Sequence, residues 1–252
     1  MSVKKTGLGD RMKGYENINR NHLISRMPVI LRLDGKAFHT FCRGFAKPFD
    51  MVMARSMQAT MQYLCENIQG CVLGYTQSDE ITLVLVDYQA FGTTSWFDNN
   101  IQKMVSVAAS MATWKFMETM NSLKFMSNER NSDVYDKALS KGAFFDCRAF
   151  NVPKEEVTNC VFWRQQDAIR NSKQALGQAH FSQRELHGKS TEEVIKMVKA
   201  KTGIPWEGLA LELQRGSCCV RQSDGKWHID RYIPEFKGEG REYIEKLINV
   251  GE

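Results

Sequence analysis

The sequence predicts an α+β fold built on one antiparallel sheet, in the order β-α-β-β-α-β, with its helices on one face. Three observations predict it. Apolar and β-branched runs bounded by turn residues occur at 28–35, 71–75, 80–87 and 143–150. Segments with helical spacing at 50–67 and 99–119 separate the first run from the second and the third from the fourth. Only Thr76-Gln77-Ser78-Asp79 lies between the second and third, which suits a hairpin. This order is the split βαβ arrangement, in which the first strand and the hairpin become neighbours.

The first strand, Pro28-Val29-Ile30-Leu31-Arg32-Leu33, runs into Asp34-Gly35, a strong turn signal. The helix after it carries Met53, Met57, Met61 and Leu64 at spacings of three and four, which reads as core packing rather than a ligand-binding box. Glu80–Asp87 is an almost unbroken apolar strand. The second long helix offers Ala108, Ala109, Ala112 and Trp114 as a small-residue packing face. Residues 1–150 thus form a core preceded by a basic N-terminal arm that includes Arg11 and Lys13, placed to approach a phosphate. Residues 151–252 form a smaller, mostly helical region packed on the same core. It holds a helix from Pro153 through Ser172 and another from Thr191 to Thr202. The second opens on Thr191 and two glutamates and is stopped by Gly203. Two short strands follow, 217–221 and 226–229, joined through Ser223-Asp224-Gly225.

Composition sets outer bounds. With 252 residues, 42% hydrophobic and 25% charged, the chain can bury a real core. The net charge of +5 is compatible with a polyanionic partner but does not by itself require one. Seven cysteines, an odd number without C-x-x-C spacing, predict free thiols in a reducing cytoplasm and argue against zinc. The N-terminus, Met1-Ser2-Val3-Lys4-Lys5, is polar, and no run reaches the ~20 apolar residues of a membrane span. The expectation is a soluble, cytoplasmic protein with no membrane partner.

The acids carry the chemistry. Asp34 ends the first strand, and Asp79 and Glu80 sit at the hairpin tip, so the topology lets them meet. Close carboxylates repel unless a cation lies between them. Hard oxygen ligands suit magnesium, especially where substrate phosphates complete the shell. The plain alternative is that these acids are solvated turn residues, since Asp-Gly and Ser-Asp are ordinary turn chemistry. In Asp34-Gly35-Lys36-Ala37-Phe38-His39, Gly35 admits close backbone approach, and successive amides can cradle a triphosphate. Phe38 can support a base or fill the core. His39 can act as a base or be a polar surface residue. Lys47 can neutralise phosphate or be a surface lysine. Gly188-Lys189-Ser190 resembles the end of a P-loop, but Gln183 stands where its first glycine is needed.

The blocks Arg32–Phe41 (RLDGKAFHTF), Phe45–Asp50 (FAKPFD) and Gly74–Leu85 (GYTQSDEITLVL) resemble, in order and spacing, the tRNA-His guanylyltransferase superfamily of 3′–5′ polymerases. The resemblance implies a polymerase-palm-like sheet. It implies Asp34, Asp79 and the Gly35 carbonyl as ligands of two magnesium ions, with Glu80 in the same acidic turn as a further catalytic candidate. Residues 34–39, Lys47, Ser78 and Asp79 would bind GTP and ATP. The substrate implied is tRNA: ATP or GTP activates a 5′ phosphate, and the 3′-hydroxyl of an incoming nucleotide then attacks it. A homo-oligomer, a tetramer, is also implied.

One departure matters. The guanylyltransferases proper carry His-Ile-Asn-Asn after an Arg-Gln-x-Asp run. Here Arg164-Gln165-Gln166-Asp167 leads to Ala168-Ile169-Arg170-Asn171-Ser172-Lys173, so Ile169 replaces the histidine. This resembles the like-protein branch, which repairs 5′-truncated tRNA on a template. Arg164, Arg170, Asn171 and Lys173 are then candidate RNA or triphosphate contacts, or a solvated helix face. Addition of the extra 5′ G of tRNA-His, a nucleotidyl cyclase and a non-enzymatic RNA-binding module are the alternatives.

Overall fold

In the computed structural model, which describes residues 7–126 and 132–249, six strands form one sheet. They are β1 (Val29–Gly35), β2 (Cys71–Gln77), β3 (Glu80–Leu85), β4 (Phe145–Asn151), β5 (Ser217–Arg221) and β6 (Trp227–Asp230). Their order is β4-β1-β3-β2-β5-β6, and every neighbouring pair is antiparallel. The first four strands take the split βαβ order. β5 and β6 extend the same sheet beyond β2, with Leu73 opposite Val220 and Thr76 opposite Ser217.

The helices are α1 (Leu8–Asn17), α2 (Phe38–Phe41), α3 (Met51–Asn67), α4 (Ile101–Leu123), α5 (Ser132–Leu139), α6 (Lys154–His180), α7 (Gln183–Leu186), α8 (Thr191–Thr202), α9 (Leu211–Arg215) and α10 (Glu242–Ile248). Strand alternation sorts them by face. Leu31, Leu33, Ile81 and Leu83 point to one side and join the core of α3 and α4. Ile30, Leu73, Tyr75 and Val84 point to the other, where Val157 and Val161 of α6 and Ile244 and Ile248 of α10 cover them. The helices of the βαββαβ unit therefore share one face, as expected, and the C-terminal region covers the second.

Local chemistry explains the elements. The Asp50 carboxylate caps α3, accepting from the Met53 N–H at 2.9 Å. Met57, Met61 and Leu64 are fully buried, so the methionine stripe is core. On α4 every fourth residue points inward: Met104, Ala108, Ala112, Phe116 and Met120. Trp114, expected on that packing face, points outward instead and rests on Tyr63 with ring centroids 5.4 Å apart. Two residues beyond Ala112 is about half a turn of helix, which turns the indole away from the core. α6 continues past Ser172 to His180. Its Gly177 is a packing residue rather than a stop: a Cβ there would lie 2.3 Å from Val194 of α8. Ser190, one residue before Thr191, caps α8 through a reciprocal box with Glu193. Gly203, at φ +74°, ends it. The first six residues of the N-terminal arm lie outside the described residues. Within the rest of the arm α1 spans Leu8–Asn17, and none of its residues is buried.

Candidate active site

The acids meet at one end of the sheet. β1 lies between β3 and β4, with Asp34 opposite Glu80 on one side and opposite Asp146 on the other. β2 and β3 join through a two-residue turn, Ser78-Asp79, between the paired residues Gln77 and Glu80. Ser78 takes φ +50° there. The Gly35 N–H donates to the Asp79 carbonyl at 3.0 Å, which ties the end of β1 to the hairpin tip. Asp34 and Asp79 thus become neighbours across 45 residues of chain, as the sequence predicted.

They line a cleft of ≈ 630 Å³. One wall is the segment 35–50 with the start of α3; the other is α6, α9 and the beginning of β5. Gly35, Ala37, Phe38, His39, Lys47 and Ser78 also line it. Ala37 adopts a left-handed backbone (φ 55°, ψ 36°) that turns the chain into the single turn of α2. Its carbonyl accepts from the Thr40 and Phe41 amides. Among the described residues no acceptor meets the N–H groups of Ala37, Phe38 and His39, so these amides remain available at the cleft edge. Gly35 is required by packing: a Cβ there would lie 2.3 Å from the Phe38 ring. Phe38 is buried and packs on Phe41, Phe116 and Phe145 at centroid distances of 5.1–5.4 Å. It is thus core and cleft floor together. His39 and Lys47 are exposed. Lys36 is exposed too, but lies outside the cleft lining, its N–H donating to the Phe144 carbonyl at 2.8 Å.

The carboxylates differ in their partners. Among the described residues Asp34 has no hydrogen-bond donor and no ion pair. Asp79 accepts from the Ser78 hydroxyl at 3.0 Å and from its own backbone amide, and among the described residues it has no ion pair. Burial pushes the Asp79 pKa up, and the Asp34 charge adds to this. The Ser78 hydroxyl, the Asp79 backbone amide and His39 oppose it. Glu80 points to the α6 face, where Arg164 grips both its oxygens at 2.6 and 2.7 Å. Each of those side chains is 11% exposed. Burial still raises the Glu80 pKa, offset in part by Arg164 and Arg32. Glu80 does not line the cleft.

The remaining candidates separate. Asn171 lines the cleft beside Ser172. Arg164 is occupied by Glu80 and Asp167. Arg170 pairs with Asp167 on the outer face of α6. The Lys173 ammonium sits over the Trp206 ring at 4.5 Å, off the cleft lining. Arg11 and Lys13 stand on exposed α1 and do not line the cleft. Three cleft features were not singled out from sequence. Cys42 is a lining thiol pushed up to about 12 by burial and by Asp79 and Asp50, hence protonated at neutral pH. Asp50 fixes the 46–50 loop by accepting from the Ala46 N–H and the Tyr135 hydroxyl. Glu212, with Arg55, Gln58 and Arg231, closes the inner end. The Phe-Asp-Cys-Arg pattern of β4 could have drawn attention to Asp146, because alternation puts it on the Asp34 face.

An antiparallel βαββαβ sheet that presents two carboxylates, neither in an ion pair among the described residues, to an open cleft is the arrangement of a palm-type nucleotidyltransferase. Comparison with known proteins gives the family. Residues 9–153 match the family described as tRNAHis guanylyltransferase (Thg1). A bacterial tRNA(HIS) guanylyltransferase (Thg1)-like protein in complex with ATP is 40% identical, with a TM-score of 0.87 over 97% of this chain and 100% of the other. One in complex with GTP is 38% identical, with a TM-score of 0.78 over 96% and 100%. The tRNA(His) guanylyltransferase of Schizosaccharomyces pombe is 26% identical over 231 residues, covering 86% of this chain and 82% of that protein. The chain belongs to the tRNAHis guanylyltransferase family and is a nucleotidyltransferase.

Proposed function

We propose that this enzyme is a magnesium-dependent 3′–5′ polymerase that repairs the 5′ ends of truncated tRNAs on a template, with ATP or GTP activating the end. The observation that carries this reading is the pair Asp34 and Asp79. They sit together in the cleft and, among the described residues, neither pairs with an arginine or lysine, while Arg164 neutralises the next acid, Glu80. Two carboxylates and a main-chain carbonyl are hard oxygen donors and fit magnesium. Asp34, Asp79 and the Gly35 carbonyl would hold two such ions. When bound, they supply charge neutralisation for the phosphates and activate an attacking hydroxyl.

The chain's own groups supply alignment. Residues 37–39, whose amides have no acceptor among the described residues, line the cleft where a triphosphate can lie, and exposed Lys47 adds positive charge. In the first step an oxygen of the tRNA 5′ phosphate attacks the α-phosphorus of the activating nucleotide, and pyrophosphate leaves. In the second, the 3′-hydroxyl of the incoming nucleotide attacks the activated 5′ phosphate, and the nucleoside monophosphate leaves. Both steps need in-line placement more than a dedicated base. The ATP and GTP complexes of the bacterial relatives support nucleotide binding here. Ile169 in place of the family's histidine supports repair over dedicated tRNA-His maturation. The seven free cysteines suit the cytoplasm. No helix among the described residues is long and apolar enough to cross a membrane. A homotetramer would draw on α1, whose Leu8, Met12 and Tyr15 are exposed.

The test is extension of 5′-truncated, 5′-phosphorylated tRNA with ATP and GTP in magnesium. Wild type extends it, and the nucleotide added follows the base on the opposite strand. Asp34→Ala and Asp79→Ala lose extension while remaining folded. Full activity in both variants refutes the two-carboxylate site. Cyclic nucleotide made from triphosphate alone refutes the RNA substrate.

A further inference from the structure

We propose that the indole of Trp163 is a stacking platform for the base of a phosphate-bearing nucleotide seated beside Asp34, on the open face of β1 and β4. The proposal rests on the 5′-end nucleotidyltransferase reading and names a contact which that reading leaves unassigned. Trp163 is 53% exposed on α6, so a large apolar ring faces water. The ring is held in place. The Arg164 guanidinium lies 4.5 Å from its centroid and the Arg32 guanidinium 5.7 Å. Arg164 is itself anchored by two bonds to Glu80.

Arg32 precedes Asp34 by two residues on the same strand face, about 7 Å along β1. A base on Trp163 would therefore lie within one nucleotide of the two carboxylates. Arg32 faces Arg148 across the β1–β4 pair. Arg148 is exposed and meets Asp146 only at 3.8 Å. Like charges at cross-strand positions repel, and a phosphate between them relieves this. A guanidinium pair beside a rigid exposed aromatic ring is the combination that binds single-stranded nucleotides without regard to sequence. A 5′-terminal RNA nucleotide and the activating nucleotide both offer a base with a phosphate.

A structural role is the competing explanation: the indole could simply cover the Glu80–Arg164 pair. Leucine provides cover but no π face, and phenylalanine provides both. The full chain carrying Trp163→Phe or Trp163→Leu is assayed for KM and kcat toward truncated 5′-phosphorylated tRNA and toward ATP, with thermal stability alongside. The expected result is a KM raised roughly 10- to 100-fold by leucine, with kcat nearly unchanged and Phe restoring most of the affinity. A rise confined to tRNA identifies the RNA 5′ nucleotide as the occupant; one confined to ATP identifies the activating nucleotide. Equal KM values for Leu and Phe overturn the platform, as does a loss of melting temperature and kcat with KM unchanged. If wild type neither activates nor extends tRNA, the functional reading fails separately. The platform is then decided by direct binding of ATP and of a 5′-phosphorylated oligonucleotide. Weaker binding by the leucine variant of either ligand upholds it, and equal binding of both by the two proteins overturns it.

Discussion

Asp79 and Glu80 are consecutive residues at one hairpin, yet the fold sets them in opposite surroundings. Glu80 turns toward α6 and is clasped by Arg164 through two charge-assisted bonds. Asp79 turns into the cleft beside Asp34, where the Ser78 hydroxyl donates to it and, among the described residues, no arginine or lysine pairs with it. A buried carboxylate with an arginine partner is a complete structural unit. Two carboxylates without one form an incomplete unit, which a divalent cation completes. Two consecutive acids of one hairpin therefore serve differently: Glu80 braces the hairpin to α6, and Asp79 joins Asp34 at the cleft.

The largest expected effect falls on the cation seat. Asp34→Asn or Asp79→Asn should reduce extension by about 10²–10⁴-fold, the scale of several kcal/mol of phosphate charge stabilisation. Single-turnover kinetics checks this. A loss below tenfold would erase the contrast with Glu80.

Next is the brace. Arg164→Met leaves Glu80 buried and unpaired, a loss of about 3–5 kcal/mol, or roughly 10 °C in melting temperature for a chain of this size. The double variant with Glu80→Gln should recover much of that loss in calorimetry. No recovery would mean that the pair is not the source of the stability.

Gly35→Ala drives a methyl group into the Phe38 ring. It should cost about 1–3 kcal/mol and disturb residues 34–39, so activity falls further than stability predicts. Parallel melting and kcat/KM measurements show whether the glycine serves the site or only the core.

The smallest effect concerns protonation. The raised Asp79 pKa means that the folded chain holds this proton more tightly than the unfolded chain does, above an ordinary aspartate's 3.8. The corresponding stability is fully present below the unfolded value and is lost as pH rises through the folded one. Ionised Asp79 thus destabilises the metal-free protein at neutral pH. In chelator, Asp79→Asn should melt about 1–3 °C higher than wild type at pH 7, with the gap closing toward pH 4. Activity should fall on the acid side at a higher pH than a free aspartate would give.

Much of this site was legible because strand alternation and short turns are local. Asp34-Gly35 and Ser78-Asp79 announce their turns, and the split βαβ order brings them together. The Glu80–Arg164 pair was not legible, because 84 residues separate its members and only the seating of α6 on the sheet joins them. From sequence Arg164 reads as an RNA or triphosphate contact or as part of a solvated helix face, and neither reading includes its pairing with Glu80. Trp114 looked like packing because its small neighbours are, whereas helical phase turns it outward. That β5 joins β2 depends on a pairing across more than 140 residues, for which neither strand carries a local signal.

The most direct measurement is Mn²⁺ binding by electron paramagnetic resonance, in the presence of GTP, for wild type, Asp34→Asn, Asp79→Asn and Glu80→Gln. Asp34 and Asp79 as the cation seat predict bound Mn²⁺ in wild type and Glu80→Gln, and its loss in both aspartate variants. Bound Mn²⁺ retained in both aspartate variants, or lost in Glu80→Gln alone, would contradict the division of the acids between seat and brace.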